Sequence, residues 1–161
     1  MTTAELLERL QQILATDAEL LTWCQDHLGA LPTVQIDYDE EQELEADCYP
    51  FLGILAVKHQ GGINSPQQQW TVPMVAVVRR SELTAVTLTT DIDGQSVEVR
   101  TRTFTGRLQA EGLREQAIAA LYRGRLGKVQ LDSDNLSHTY HPKFLSPFTV
   151  TITQQRSLNH G

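Results

Sequence analysis

Residues 37–47, DYDEEQELEAD, run without a break into residues 48–57, CYPFLGILAV. Seven of those first eleven residues are carboxylates, and the stretch that follows is apolar throughout. A run of like charge stays in water, because burying unpaired carboxylates is too costly. An apolar run of this length, entered through Pro50, reads as a buried strand, since proline is tolerated at a strand start. The junction fits a surface that meets a partner better than a pocket built for chemistry.

Upstream of the loop, Thr2 and Glu5 have capping-box spacing, and Leu6, Leu7, Leu10, Ile13 and Leu14 recur at the helical period. Thr16 and Glu19 repeat that spacing before Leu20, Leu21, Trp23, Cys24 and Leu28. This reads either as two short helices broken near Thr16 or as one irregular helix. Gly29 is a C-cap, and Pro32 cannot continue the helix. Val34-Gln35-Ile36-Asp37-Tyr38 alternates as a half-buried strand.

Downstream, Phe51 to His59 is the apolar strand, residues 61–69 form a polar loop, and Trp70 to Arg80 is a strand. Within that last strand Pro73 hints at a bulge or an edge. Residues 83–90 and 97–104 form a hairpin around Asp91-Ile92-Asp93-Gly94-Gln95, a ribbon polar enough to project as an arm. Residues 108–123 read as the second main helix, with Leu113, Ala117, Ile118, Leu121 and Tyr122 apolar and Gly124 and Gly127 beyond. A turn-rich stretch over 132–147 leads to a strand at 148–153, then a polar tail, about 155–161, expected to be mobile. The order predicts a single α+β domain over 1–161. It has a mainly antiparallel sheet, two main helices packed on one face, and a projecting β-hairpin at about 83–104.

The bulk properties narrow the function classes. The 161 residues suffice for one core, and 40% hydrophobic with 20% charged residues is a globular composition. No apolar run is long enough to span a bilayer and MTTAELLERL has no basic n-region, so a soluble cytoplasmic protein is expected, with no membrane partner. Cys24 and Cys48 are widely spaced and read as free thiols. A net charge of −7 argues against nucleic-acid binding, which relies on cationic neutralisation of phosphates. The charge is also lopsided: residues 1–80 hold 12 acidic against 4 basic side chains, and residues 81–161 hold 8 against 9. Such asymmetry steers a head-to-tail contact between copies; its plainer meaning is solvated surface.

No constellation for catalysis stands out. Counted from Asp37, the sixth residue is Gln42 and the twelfth Cys48, so the acidic loop is not an EF-hand. His138 and His141 lack partners at a zinc spacing, and His27, His59 and His160 are scattered. There is no GxSxG elbow, and GGINSP is neither a GxGxxG nor a Walker loop. Cys24 lies on an amphipathic helix, and Cys48 adjoins carboxylates that raise a thiol pKa, so neither is a nucleophile. No cofactor or metal is expected. Arg79, Arg80, Arg100, Arg102, Arg107, Arg114, Arg123, Arg125 and Lys128 make the second half locally basic, either as a subunit contact or as solubilising surface.

Several stretches together carry a resemblance: the N-terminal helix ending in HLG, the loop running into EADCYPFLGIL, and the Trp70 to Arg80 strand. The late helix REQAIAALYR and the closing strand SPFTVTIT complete it. In their order they resemble the tail terminator (tail completion) proteins of long-tailed bacteriophages and prophages. The resemblance spans most of the chain and is one of topology and composition, without a signature motif. It implies a non-enzymatic subunit of a ring, a hexamer in well-studied relatives, that caps the tail tube and offers the surface to which the head joins. Its partners would be copies of itself, the tail tube protein and a head-completion protein. The hairpin and loops would make the contacts. Within the ring, Asp39, Glu40, Glu41 and Glu43 are expected to meet arginines such as Arg100, Arg102, Arg123 or Arg125, so that Glu40→Lys with Glu41→Lys would prevent assembly. The competing readings are a head–tail connector or neck protein, a cytoplasmic module binding a small ligand or peptide, and an enzyme of unrecognised type.

Overall fold

The computed structural model describes residues 1–39, 41–62, 64–132 and 135–155. Helix α1 (Thr3–Thr16) starts in the expected capping box: the Thr2 hydroxyl accepts from the Glu5 amide, and the Glu5 carboxylate accepts from the Thr2 amide. The chain then breaks at Asp17, whose carboxylate accepts from the Leu20 amide and caps α2 (Ala18–Leu28). The N-terminal segment is thus two helices. Its second cap is Asp17 and not Thr16, whose hydroxyl donates back to the Gln12 carbonyl. Gly29, at φ +72°, closes α2 in the left-handed conformation that glycine adopts without strain.

A seven-stranded sheet lies beneath these helices and α3 (Thr105–Arg123). Its order is β1 (Thr33–Ile36), β2 (Phe51–Ile54), β4 (Gln67–Arg79), β9 (Lys143–Gln155) and β7 (Lys128–Leu131). Strand β3 (Lys58–Gln60) also pairs with β4, and β8 (His138–Tyr140) with β9. Only β1 and β2 run parallel. Trp70, Val72, Met74, Ala76 and Val78 of β4, with Phe144, Phe148, Val150 and Ile152 of β9, point towards the helices and form the main core. Leu6, Leu10, Leu14, Leu113, Ala117 and Leu121 meet them from the helical side. The α+β class with helices on one face is what the sequence predicts, with three helices in place of two.

The apolar strand over 51–59 is split in two. Three residues, Leu55 to Val57, face only Val72 and Pro73 across the ladder, so the strand carries one extra residue between β2 and β3. The Pro73 carbonyl accepts from the Leu55 amide, which places the proline nitrogen on that same side, where the ladder is interrupted. Pro73 therefore sits in a long interior strand without leaving a rung unmade.

Other boundaries moved for identifiable reasons. Strand β4 begins at Gln67 because Gln68, polar yet buried on the helical side, is satisfied there: His59 Nε2 donates to its Oε1 at 2.6 Å, and its Nε2 donates to the Gly62 carbonyl. Strand β9 begins at Lys143, inside the stretch expected to be turns, because buried Ser146 interrupts the apolar alternation while bonding to a side chain of α3. Strands β7 and β8, too short to show a period, were not anticipated. The tail over 155–161 lies, beyond Gln155, outside the described residues.

Strands β5 (Leu83–Ile92) and β6 (Gln95–Phe104) pair only with each other. Their two-residue turn, Asp93-Gly94, has both φ angles positive, at 50° and 78°, as a type I′ hairpin requires.

Candidate assembly surface

The acidic loop is anchored before it reaches water. Asp37 takes a φ of 65°, and its amide and that of Tyr38 both donate to the Ile54 carbonyl, which turns the chain across the end of β2. Tyr38 then lies over Gly53, where an added Cβ would come within 2.9 Å of the tyrosine. Its ring tilts against Phe51 at 4.7 Å. Leu44, Cys48 and Tyr49 pack beside it on Phe51, Val75, Val77 and Leu145, a second small core on the sheet face away from the helices. The loop is therefore a strap, with apolar residues gripping the sheet and Asp39, Glu41, Glu43, Glu45 and Asp47 exposed. Glu40 lies outside the described residues. Among the described residues, no ion pair joins a strap carboxylate to any cation.

Beside the strap, Arg79 and Lys143 stand opposite each other across β4 and β9. With Glu43, Leu44, Tyr49 and Pro142 they line a cleft of about 340 Å³. Burial pushes the Tyr49 phenol up, and the nearby Arg79 charge opposes that shift.

The hairpin arm is exposed along its length except at Val97 and Thr101, which are half-buried. Because strand side chains alternate, its two faces differ. One carries Val86, Leu88, Ile92, Val97 and Val99; the other carries Thr87, Thr89, Asp91, Glu98, Arg100 and Arg102. Val86, Leu88, Ile92 and Val99 are 49–57% exposed, although each is large and apolar. The register gathers these apolar side chains on one face, among Thr84, Thr90, Gln95, Thr101 and Thr103. The arm is seated at its base, where the Phe104 ring meets His141 at 4.9 Å and Phe144 at 5.7 Å.

Of the arginines expected at a contact, Arg100, Arg102 and Arg125 are exposed and enter no ion pair among the described residues. Arg123 is different. Its Nε and terminal nitrogen clasp both Asp17 oxygens at 2.9 and 2.6 Å, and it reaches Glu19 at 3.0 Å. The hydrogen bond from Arg123 holds the Asp17 carboxyl low, against the upward push of burial. Arg123 locks the end of α3 to the α1–α2 break.

Two more arginines of the basic half prove structural. Arg107 donates to the carbonyls of His138 and Leu145 at 2.8 and 2.9 Å and to the Ser146 hydroxyl, and its guanidinium lies over the Phe144 ring. Glu111 accepts from Ser137 and, at 2.9 Å, from Ser146, and it pairs with Arg107 and Arg114 at 3.0 Å each. Burial pushes the Glu111 carboxyl up, but the two serine bonds and the two arginines outweigh it, leaving a net lowering. A carboxyl lowered in the folded state stabilises the fold above its ordinary value of 4.5 and loses that contribution as pH falls through the folded value. Glu111→Gln should cost about 2 kcal/mol at pH 7, since bonds to a charged acceptor are replaced by weaker neutral ones. Urea unfolding at pH 7 and pH 3 checks this: the gap between variant and wild type should shrink at the lower pH.

Chemistry in the body is sparse. Burial pushes the Cys24 thiol up to about 11, away from thiolate reactivity. Both cysteines are free. No group of three His, Cys, Asp or Glu side chains able to hold a metal occurs among the described residues. No helix among them is long and apolar enough to cross a membrane. No family model matches the chain, and no curated protein matches it in sequence.

Proposed function

We propose that the chain is a non-enzymatic assembly subunit that closes into a ring, the tail terminator of a long-tailed bacteriophage or prophage. In that role it would cap the tail tube and offer the surface to which the head joins, with copies of itself, the tube protein and a head-completion protein as partners. The observation that carries this reading is the arm, a ribbon of ten-residue strands with Val86, Leu88, Ile92 and Val99 exposed on one face. An isolated two-stranded hairpin is marginal in water, so an arm of this kind gains its order from a neighbour. A ring needs two different complementary surfaces on each subunit. Exposed carboxylates on the strap and exposed Arg100, Arg102 and Arg125 elsewhere supply opposite charges that enter no ion pair among the described residues.

Reversing the strap with Glu41→Lys and Glu43→Lys tests the charge pairing. Self-association should weaken at least about tenfold, as expected when close charge pairs at an interface become like-charged. Arg100→Glu with Arg102→Glu in the reversed background should restore it. Sedimentation velocity measures both, and unchanged association in the strap variant would remove the strap from the contact.

A further inference from the structure

The two edges of the arm are not alike. Glu82 and Thr105 are in the hairpin's register just below its base, and the Thr105 amide donates to the Glu82 carbonyl. Counting by twos from that bond, the even-numbered residues of β5 spend their backbone groups on β6. The tight Asp93-Gly94 turn, closed by Ile92 and Gln95, gives the same phase at the other end. The open rungs of β5 therefore belong to Leu83, Ala85, Thr87, Thr89 and Asp91, and those of β6 to Ser96, Glu98, Arg100, Arg102 and Phe104.

Strand edges are kept from pairing by charge, proline, bulges or shortness. The β6 edge has charge at three consecutive open rungs, Glu98, Arg100 and Arg102. The β5 edge has neither charge nor proline from Leu83 to Thr90, and its pairing with β6 continues through ten rungs without a bulge. The outer strands of the body, β1 and β7, have four residues each. The β5 edge is thus the one long, unguarded edge among the described strands.

We propose that the β5 edge is a strand-addition site for the β5 edge of a second copy of this chain, joined antiparallel about a two-fold axis at Thr87. Length selects the occupant, because among the described strands only another arm offers a free edge long enough to fill every open rung. Charge selects the edge: a β6–β6 contact centred on Arg100, the residue opposite Thr87, sets the two copies of that arginine against each other at the axis, whereas β5–β5 leaves the charged edges outermost. Side chains select the register. With Thr87 opposite its counterpart, open rungs meet open rungs, Val86 meets Leu88 on the apolar face, and Thr84 meets Thr90. The result is a four-stranded sheet, above the minimum for an independently stable one. The contact is isologous and finite, and it does not rest on the ring reading.

Matched proline substitutions at open rungs test it, because neither removes an amide used within the hairpin. Sedimentation equilibrium should show wild-type dimers whose dissociation constant rises at least about tenfold in Thr87→Pro, which deletes the two bonds at the axis. Glu98→Pro, on the guarded edge, should leave the constant within about twofold, a negligible change in affinity. Equal effects of the two prolines, no effect of either, or a wild type monomeric throughout would overturn the proposal. Amide exchange on the unmodified protein gives a readout free of folding effects: Ala85, Thr87 and Thr89 should gain protection with concentration while Glu98, Arg100 and Arg102 do not. Equal behaviour of the two sets would also overturn it.

Discussion

Gly106→Ala should lower the melting temperature by about 4–8 °C, on the scale of 2–4 °C per kcal/mol for a domain of this size. Gly106 lies in the first turn of α3, buried against the ring of Phe144, and an added Cβ would overlap the Cδ2 and Cε2 atoms of that ring. Two effects oppose each other. Alanine favours a helix over glycine by at most about 1 kcal/mol, and by less at a helix end. Overpacking a filled core costs about 1–3 kcal/mol, and Phe144 has little freedom to yield. It is fully buried, with Phe104 on one side and the Arg107 guanidinium over its face. The clash wins by about 2 kcal/mol. Phe144→Leu removes the ring, so in that background Gly106→Ala should cost almost nothing. A calorimetric double-mutant cycle checks the pair, and additive effects would mean that the ring is not what the new methyl group meets. Because Phe104 at the base of the arm rests on Phe144, the alanine variant should also loosen the arm's seat.

Residues with a clear period or an explicit turn code were legible in the sequence. Leu6, Leu10 and Leu14 announced α1, Asp93-Gly94 announced the hairpin, and Trp70 to Val78 announced a long strand. What stayed hidden depended on contacts between distant residues. Ser146 looks like a turn residue until Glu111 of α3 is brought to bond it, which is why the first third of β9 was read as loop. Asp17 and Thr16 are both reasonable caps in isolation, and Arg123, over a hundred residues away, clasps Asp17. The same bond withdraws Arg123 from the cations available to a partner, a distinction that net charge cannot make. For the strap, the acidic composition was plain. That Tyr38, Leu44, Cys48 and Tyr49 form a gripping underside was masked by the carboxylates between them. The arm's amphipathic face was masked by threonines at alternate positions, and it emerged only once the register placed Val97 and Val99 beside Thr90 and Leu88.

Excising the arm separates folding from assembly more sharply than any point substitution. Thr84 and Thr103 are a bonded pair in the same phase as Ile92 and Gln95, so an Asn-Gly turn in place of residues 85–102 closes a minimal hairpin without disturbing either chain end. The excised strands contribute nothing to either buried core, and the melting temperature should change by no more than about 2 °C, less than 1 kcal/mol. Self-association should be abolished, because both the apolar face and the open β5 edge are gone. Native mass spectrometry of the full and the armless chain, over a concentration series at low and moderate salt, is the decisive measurement. Dimers at low concentration, giving way to one closed oligomer larger than a dimer as concentration rises and shrinking with salt, are the expected result for the full chain, beside an armless chain that stays monomeric. A dimer alone would remove the ring while leaving the paired β5 edges in place. Identical distributions for the two chains, or a full chain that is monomeric throughout, would contradict assembly through the arm.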